Sequence, residues 1–355
     1  MQEIDLQNAT AYLRQVGQLA GDESCEVAEL AGGVSNLVLR VSFPDGHRSD
    51  FVLKQARPQL RTADPWFCTV ERIWREVDVL KACAELLADF SAATPSLLHA
   101  VTPAVLFEDR DNYVFTMSAA PAAHTVWKAE LLAGRVEPWS ARQCGLLLGA
   151  LHAGSWKSTD LAVRLADRQV FRELRLDPYF RHVARVHPAE ARHFQRLIDG
   201  NEGCQLSLVH ADFSPKNLLV YPIAEAKQLS GMMLVDFETG HFGDPAFDLG
   251  FFLSHLVLKA FHFKPHHQPY LDLTREFWTA YESVLRPAIG DVAYRDLLAR
   301  GIQNLAGCAW ARIDGTSKVD YLQDTACQSS VRVFCRELFR AEPSDWSVVL
   351  AMAGS

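Results

Sequence analysis

His210-Ala211-Asp212-Phe213-Ser214-Pro215-Lys216-Asn217 decides how this chain reads. Asp212 stands two residues after His210 and Asn217 five after Asp212, with apolar, strand-like stretches on either side, Leu206 to Val209 and Asn217 to Tyr221. Nineteen residues beyond Asn217, Val235-Asp236-Phe237-Glu238 again sets an acid at the end of an apolar strand, Met232 to Val235. Either segment alone is explained by a turn and a strand-end cap, because short motifs arise by chance. Both together, in order and on matching elements, point to chemistry that needs several oxygen groups in one place. Phosphoryl transfer is such chemistry. One carboxylate orients the acceptor hydroxyl, and other oxygens hold Mg2+ against the nucleotide phosphates.

Working outward, the first third of the chain reads as a β-rich layer with one inserted helix. Val34 to Val41 alternates, with Leu37, Leu39 and Val41 on one face. Pro44-Asp45-Gly46 is a turn, and Phe51-Val52-Leu53-Lys54 is the returning strand. Ile73, Val77, Leu80, Ala84 and Leu87 then fall on one face of an amphipathic helix that also carries Glu76. A hairpin follows, Ala104 to Glu108 and Tyr113 to Met117. Beyond Ser118-Ala119-Ala120-Pro121 the pattern turns mainly helical. Helices are expected over Ala141 to His152 and over Arg168 to Arg185, the latter broken at Asp177-Pro178, with others from Asp248, Thr274 and Tyr294. The segments Leu206 to Val209, Asn217 to Tyr221 and Met232 to Val235 form one β island among them. The expected architecture is α+β, with a small β-rich lobe over residues 1–118 and a larger helical lobe over 119–355.

The His-x-Asp-x-x-x-x-Asn spacing and the later metal-type aspartate resemble the catalytic loop of protein kinases. More closely, the chain resembles the aminoglycoside phosphotransferase and choline kinase-like superfamily, with Ala211 where that superfamily usually has glycine. The resemblance implies a bilobal, protein-kinase-like fold and ATP-dependent transfer to a hydroxyl group. It makes Asp212 the catalytic residue, and Asn217, Asp236 and Glu238 the Mg2+ ligands. It also places Lys54 on the ATP phosphates, paired with Glu76, although Glu71 and Asp78 lie close by in sequence. A lysine on an edge strand is otherwise a solvated charge. In Ala31-Gly32-Gly33-Val34-Ser35-Asn36, the glycines let backbone N–H groups approach phosphate oxygens, so Gly32, Gly33, Ser35 and Asn36 are nucleotide-loop candidates. Met117 at the connector is expected beside the adenine. His210 is expected to brace the loop, and Asp248 to cap the helix that begins there; Asp244 has no assigned role.

Leu53-Lys54-Gln55-Ala56-Arg57-Pro58-Gln59-Leu60-Arg61, followed by Trp66, is similar to the lysine segment of methylthioribose kinases. Ala311-Arg312-Ile313-Asp314-Gly315 resembles the place where those kinases carry two arginines near the sugar, which makes Arg312 a substrate candidate. Asn217 departs from their usual loop. A pentose-like acceptor, an aminoglycoside- or choline-type acceptor and a non-catalytic nucleotide-binding scaffold all stay open, as does GTP in place of ATP. No activation segment ending in Ala-Pro-Glu follows Asp236, which argues against a protein substrate.

Composition sets the remaining bounds. The 355 residues are 49% hydrophobic and 22% charged, with a formal charge of −8. A surface of that sign argues against coating nucleic acid. The partner expected is a small acceptor, and a homodimer is the one protein assembly this reading admits. Leu249 to Leu258 is the most apolar run, too short for a membrane span and expected as a buried helix. No basic stretch followed by an apolar one opens the sequence, and eight cysteines are scattered without a CxxC pair, so reduced thiols and a cytoplasmic location are expected. The histidines at 255, 262, 266 and 267 lack a metal-ligand pattern and are expected in a polar loop beside Pro265.

Overall fold

The alternation that carries Lys54 also decides what the first sheet packs against. The computed structural model describes residues 1–30, 36–59, 69–223 and 230–354. Its strands are β1 (Glu26–Glu29), β2 (Asn36–Ser42), β3 (Phe51–Ala56), β4 (Ala100–Val101), β5 (Val105–Asp109), β6 (Val114–Ser118), β7 (Thr125–Val126), β8 (Ser207–Val209), β9 (Leu218–Pro222), β10 (Ser230–Leu234) and β11 (His241–Gly243). An antiparallel sheet runs in the order β1-β2-β3-β6-β5. Successive side chains on a strand point to opposite faces. One face of this sheet therefore presents Leu37, Leu39, Val41, Phe51, Leu53 and Val114, which bury against Ile4, Ala9, Tyr12 and Leu13 of the N-terminal segment. The other presents Val52, Ala56 and Phe115, which join Ile73, Val77 and Leu80 of the helix Arg72–Ala93. Lys54 shares the parity of Val52 and Ala56 and so faces that helix.

After the connector the chain is mainly helical. Helix Pro138–Ser155 packs along Gln268–Ile289 at close range, because Gly145 admits the Phe277 carbonyl oxygen to 2.3 Å from where a Cβ would stand. Helix Pro245–His262 runs through the middle of the core, buried along nearly all its length, and packs on Asp291–Asp314. Among the described residues, no helix is long and apolar enough to cross a membrane. The seven described cysteines are all unpaired.

The structure corrects four local expectations. The β island is two units: β8 pairs with β11, whereas β9 and β10 join β4 and β7 in the order β4-β10-β9-β7. The short β11 and the distant β4 have too little sequence pattern to announce themselves. The helix expected to break at Pro178 continues instead as a π-type segment, Arg172–Arg181, whose wider turns accommodate the proline. β3 is central in its sheet, so Lys54 is no edge residue. His255 and His262 sit in helix Pro245–His262, and His255 is buried within it rather than in a polar loop.

Candidate active site

Lys54 is 5% exposed, and its Nζ lies 2.5 Å from Glu76 Oε1 and 3.3 Å from Asp236 Oδ1. Strand parity brings the lysine to the helix, and the helical period brings Glu76 rather than its neighbours to the lysine. Glu71 is engaged elsewhere, with Thr69 Oγ1 and, at 3.3 Å, the Tyr113 hydroxyl. Burial opposes the charge on Lys54, yet Glu76, Asp236 and Glu238 outweigh it and push its pKa above the ordinary lysine range. Burial pushes the Glu76 carboxyl up, to about 7, against the pull of Lys54. Among the described residues, Glu76 Oε2 has no hydrogen-bond partner.

Two strand pairings bring the remaining groups to this lysine. The antiparallel pairing of β9 with β10 sets Leu218 opposite Leu234, so the next residues, Asn217 and Val235, meet through a 3.0 Å hydrogen bond from Val235 N to Asn217 O. Asp236 follows at once, leaving the strand at φ 72°. The pairing of β8 with β11 sets Val209 opposite His241 and holds the start of the loop against Gly240, whose missing Cβ would stand 2.5 Å from Val79 Cγ1. The helix carrying Glu76, the loop carrying Asp212 and the hairpin carrying Asp236 are thereby locked together.

Within the loop, Asn217 Nδ2 donates to Asp212 Oδ2 at 2.8 Å and to the Asp212 carbonyl at 2.9 Å. Asp212 also receives Arg175 Nη2 on Oδ1 at 2.6 Å and Lys216 Nζ on Oδ2 at 2.9 Å. Burial works against the Asp212 charge, but Arg175 and then Lys216 overcome it and hold the carboxyl well below the ordinary range. Lys216 is half exposed, so solvent screens its share and the buried Arg175 dominates. Burial likewise opposes the Asp236 charge, and Lys54 and Lys216 bring its carboxyl down.

The loop backbone is clamped from behind. Asp248 accepts the amides of His210 and Ala211, both at 2.7 Å, and Thr239 Oγ1 donates to the His210 carbonyl at 2.9 Å. Asp248 therefore braces the loop instead of capping its own helix; Asp244 is the cap, accepting from Ala246 N at 3.1 Å. His210 Nδ1 receives the Asp212 amide at 3.2 Å, and burial lowers the imidazole's pKa, consistent with a neutral brace. Ala211 has φ 60°, which accounts for the glycine usual at that place.

Of the residues singled out in the sequence, Lys54, Glu76, Asp212, Asn217 and Asp236 converge. Glu238 also arrives, with Oε2 taken by Asn36 Nδ2 at 3.1 Å and Arg72 Nε at 3.3 Å. Asn36 thus meets the cluster from the first residue of β2. Met117 is buried on β6, opposite Val52 of β3. Gly32, Gly33 and Ser35, and also Leu60, Arg61 and Trp66, lie outside the described residues. Arg312 does not touch this cluster; its Nη1 contacts the Tyr179 hydroxyl at 3.1 Å and Ser317 Oγ at 2.8 Å. Arg175, Arg72 and Asp248 do so much here, and sequence gave no role to the first two. Arg175 is one arginine among several in its segment, and only the π-type turn aims it at Asp212.

The donors present suit a hard divalent cation. With Nδ2 of Asn217 spent on Asp212, its amide oxygen is the remaining polar atom, and the Asp236 side chain is still 29% exposed. Carboxylate and amide oxygens are the ligands Mg2+ takes.

The model of the phosphotransferase enzyme family matches residues 26–282. The chain belongs to that family. Among curated proteins, it is 25% identical to a methylthioribose kinase of Enterobacter sp. (strain 638) over 273 residues, and 26% identical to one from Cronobacter sakazakii over 276. Each match takes in 71% of this chain but spans only 65% of the curated relative's length. Among solved structures, a choline/ethanolamine kinase family protein from Mesorhizobium loti aligns over 98% of both chains with a TM-score of 0.54 at 19% identity. An amicoumacin kinase in complex with AMP-PNP, Ca2+ and its antibiotic aligns over 96% of this chain and 95% of its own, with a TM-score of 0.55 at 13% identity. These likenesses establish the bilobal, protein-kinase-like fold.

Proposed function

We propose that this chain is an ATP-dependent small-molecule kinase that transfers the γ-phosphoryl group of MgATP to a hydroxyl of a sugar-like metabolite. The observation that carries the reading is the convergence of Lys54, Glu76 and Asp236 with the Asp212–Asn217 pair, from one strand, one helix, one loop and one hairpin. The methylthioribose kinases among its relatives support the sugar-like acceptor. On this reading residues 1–118 are the nucleotide lobe and 119–355 the catalytic and acceptor lobe, with Met117 beside the base.

Lys54, held charged and fixed by Glu76, clamps the nucleotide phosphates. Asn217 and Asp236 would hold Mg2+, which would supply charge neutralisation at the nucleotide phosphates. Glu238 ties Asn36 of β2 and Arg72 to the metal segment, a positioning duty alongside any ligation. The acceptor oxygen bonds to the γ-phosphorus, the bond to the bridging oxygen of ADP breaks, and the hydroxyl proton passes toward Asp212. Because Arg175 keeps Asp212 so weakly basic, Asp212 orients the hydroxyl early and takes its proton only late, as a loose transition state requires.

The test is ADP release over sugars, methylthioribose, aminoglycosides and amino alcohols, with wild type and Asp212→Ala. Stimulation by a sugar-like acceptor is expected, and kcat should fall about 10²–10⁴-fold in the variant while nucleotide binding persists. Unchanged turnover in Asp212→Ala would remove Asp212 from the chemistry. No stimulation by any acceptor, combined with no Mg-nucleotide binding by wild type, would favour a non-catalytic scaffold.

A further inference from the structure

Around Lys259 and Arg312, positive charge collects with little negative charge to match. Phe251, His255 and Lys259 are spaced by four along helix Pro245–His262 and so form one stripe. Arg175, which holds Asp212, lies 5.4 Å over the Phe251 ring and 5.8 Å over Tyr179. Tyr179 in turn accepts from Arg312, and Phe251 packs edge-on against His255 at 5.0 Å. Lys259 and Lys128 approach the same Tyr321 ring, at 5.1 and 5.9 Å. These residues form a continuous wall leading from the Asp212 carboxylate.

The wall is poorly satisfied. Lys259 is 1% exposed, and its one hydrogen bond among the described residues is to the His255 carbonyl at 3.2 Å. Arg312 Nε, His255 Nε2 and the Tyr321 hydroxyl are buried with no hydrogen-bond partner among the described residues. Among the described residues, the carboxylate that bears on Lys259 is Asp320, and it is bound to Lys128 at 3.0 and 3.2 Å. A fold can bury a lysine's stem against aromatic rings, but a buried ammonium beside an arginine and unpartnered donors is costly to keep. Proteins tolerate such arrangements where a ligand completes them.

We propose that Lys259, Arg312, Tyr321 and His255, with Lys128 at the rim, form an anion subsite for the acceptor, which is therefore a hydroxylated metabolite bearing a phosphate or carboxylate group. The proposal rests on the kinase reading and names the substrate class of that same site. It sets the anionic end of the acceptor against Lys259 and Arg312 and a hydroxyl toward Asp212. Cationic acceptors of the choline or aminoglycoside kind are disfavoured, because the wall repels them.

Burial, then Lys128 and Arg312, lower the Lys259 pKa to about 7, against a small opposing pull from Asp320. The other titratable groups around it are His255 and His262, both kept mostly neutral by burial, and Tyr321, whose hydroxyl burial pushes up. An arriving anion favours the ammonium form. Anion affinity should therefore be high below pH 7 and decline as pH rises through it.

Matched acceptors provide the first test: ribose against ribose 5-phosphate, and glycerol against glycerate, in the ADP-release assay. The anionic member of at least one pair should have the higher kcat/KM, by roughly 10-fold or more, and the choice between phosphate and carboxylate falls to whichever pair responds. Lys259→Met should raise the KM of that acceptor by a similar factor and leave nucleotide binding intact. It should also raise Tm, because a buried charge is replaced by an apolar chain of like length. Preference for the neutral or a cationic acceptor overturns the proposal. A second measurement separates it from the kinase reading: sulfate binding by calorimetry, with a non-hydrolysable MgATP analogue present. Sulfate keeps its charge across this pH range. Binding that weakens above pH 7 and is lost in Lys259→Met upholds the subsite even if no acceptor turns over. Equal sulfate binding by wild type and Lys259→Met overturns it.

Discussion

Two clusters of buried charge sit on either side of Arg175, and they are built on opposite plans. On one side each cation has its carboxylate: Lys54 lies against Glu76 and Asp236, and Arg175 and Lys216 against Asp212. On the other, Lys259 and Arg312 bond to carbonyl and hydroxyl oxygens and lie against aromatic rings. On the proposed reading, the difference teaches that buried charge serves two ends in one molecule. Matched charge holds reacting groups in place before any ligand arrives, which avoids reorganisation during the chemical step. Unmatched charge stores affinity, which is released when an anion supplies what the fold withholds.

The matched side should break hardest where its hub is removed. Lys54→Met leaves the buried Glu76 and the partly exposed Asp236 without their common partner. A loss of about 10²–10³-fold in kcat is expected, the scale for losing one preorganised electrostatic contact. A second change, Glu76→Gln, should cost less and should add little to Lys54→Met, because both act through one contact. Steady-state kinetics of the two single variants and the double variant check this. Full additivity would mean that Lys54 and Glu76 work independently, contrary to their 2.5 Å contact.

Arg175→Met sharpens the comparison next, since Arg175 belongs to both clusters. It is the main group depressing the Asp212 pKa, so its removal lets burial lift that carboxyl. A depressed carboxyl is ionised down to low pH; a lifted one protonates earlier as pH falls. The acid limb of the kcat/KM profile should therefore move to higher pH in Arg175→Met, while the same limb in Lys216→Met moves less, because solvent screens Lys216. A profile identical to wild type would show that Arg175 packs the loop without setting its charge.

The matched cluster was largely legible in the sequence, and the unmatched one was not. Asp212, Asn217 and Asp236 follow a fixed spacing, and strand parity with helical period brings Lys54 to Glu76. Those are local rules, and the β9–β10 register converts them directly into contacts. Lys259 and Arg312 lie on separate helices, Pro245–His262 and Asp291–Asp314, with Lys128 on a third, Trp127–Leu132. Their meeting depends on packing between helices, which leaves no periodic trace. His255 is a different case: grouped with the other histidines it reads as loop, although the apolar run Leu249 to Leu258 around it already reads as a helix. Arg175 depended on a π-type turn that the Asp177-Pro178 pair had suggested would be a break.

The smallest expected effect concerns the backbone beneath the matched cluster. Asp248 draws in the amides of His210 and Ala211, and that grip holds Ala211 at φ 60°, where a Cβ crowds the following carbonyl. An L-residue in this region carries a penalty of roughly 1–2 kcal/mol. Glycine removes it but surrenders about 0.5–1 kcal/mol of unfolded-state restriction. Ala211→Gly should thus gain about 0–1.5 kcal/mol in denaturant unfolding, with kcat unchanged, because the Asp248 bonds rather than the methyl group fix the loop. Asp248→Ala is the contrast. It deprives two buried amides of their acceptor and should cost about 1–3 kcal/mol for each one left unpaired. If Ala211→Gly instead lowered kcat, the alanine methyl would be helping to hold Asp212 in place, and clamping by Asp248 would not suffice to position it.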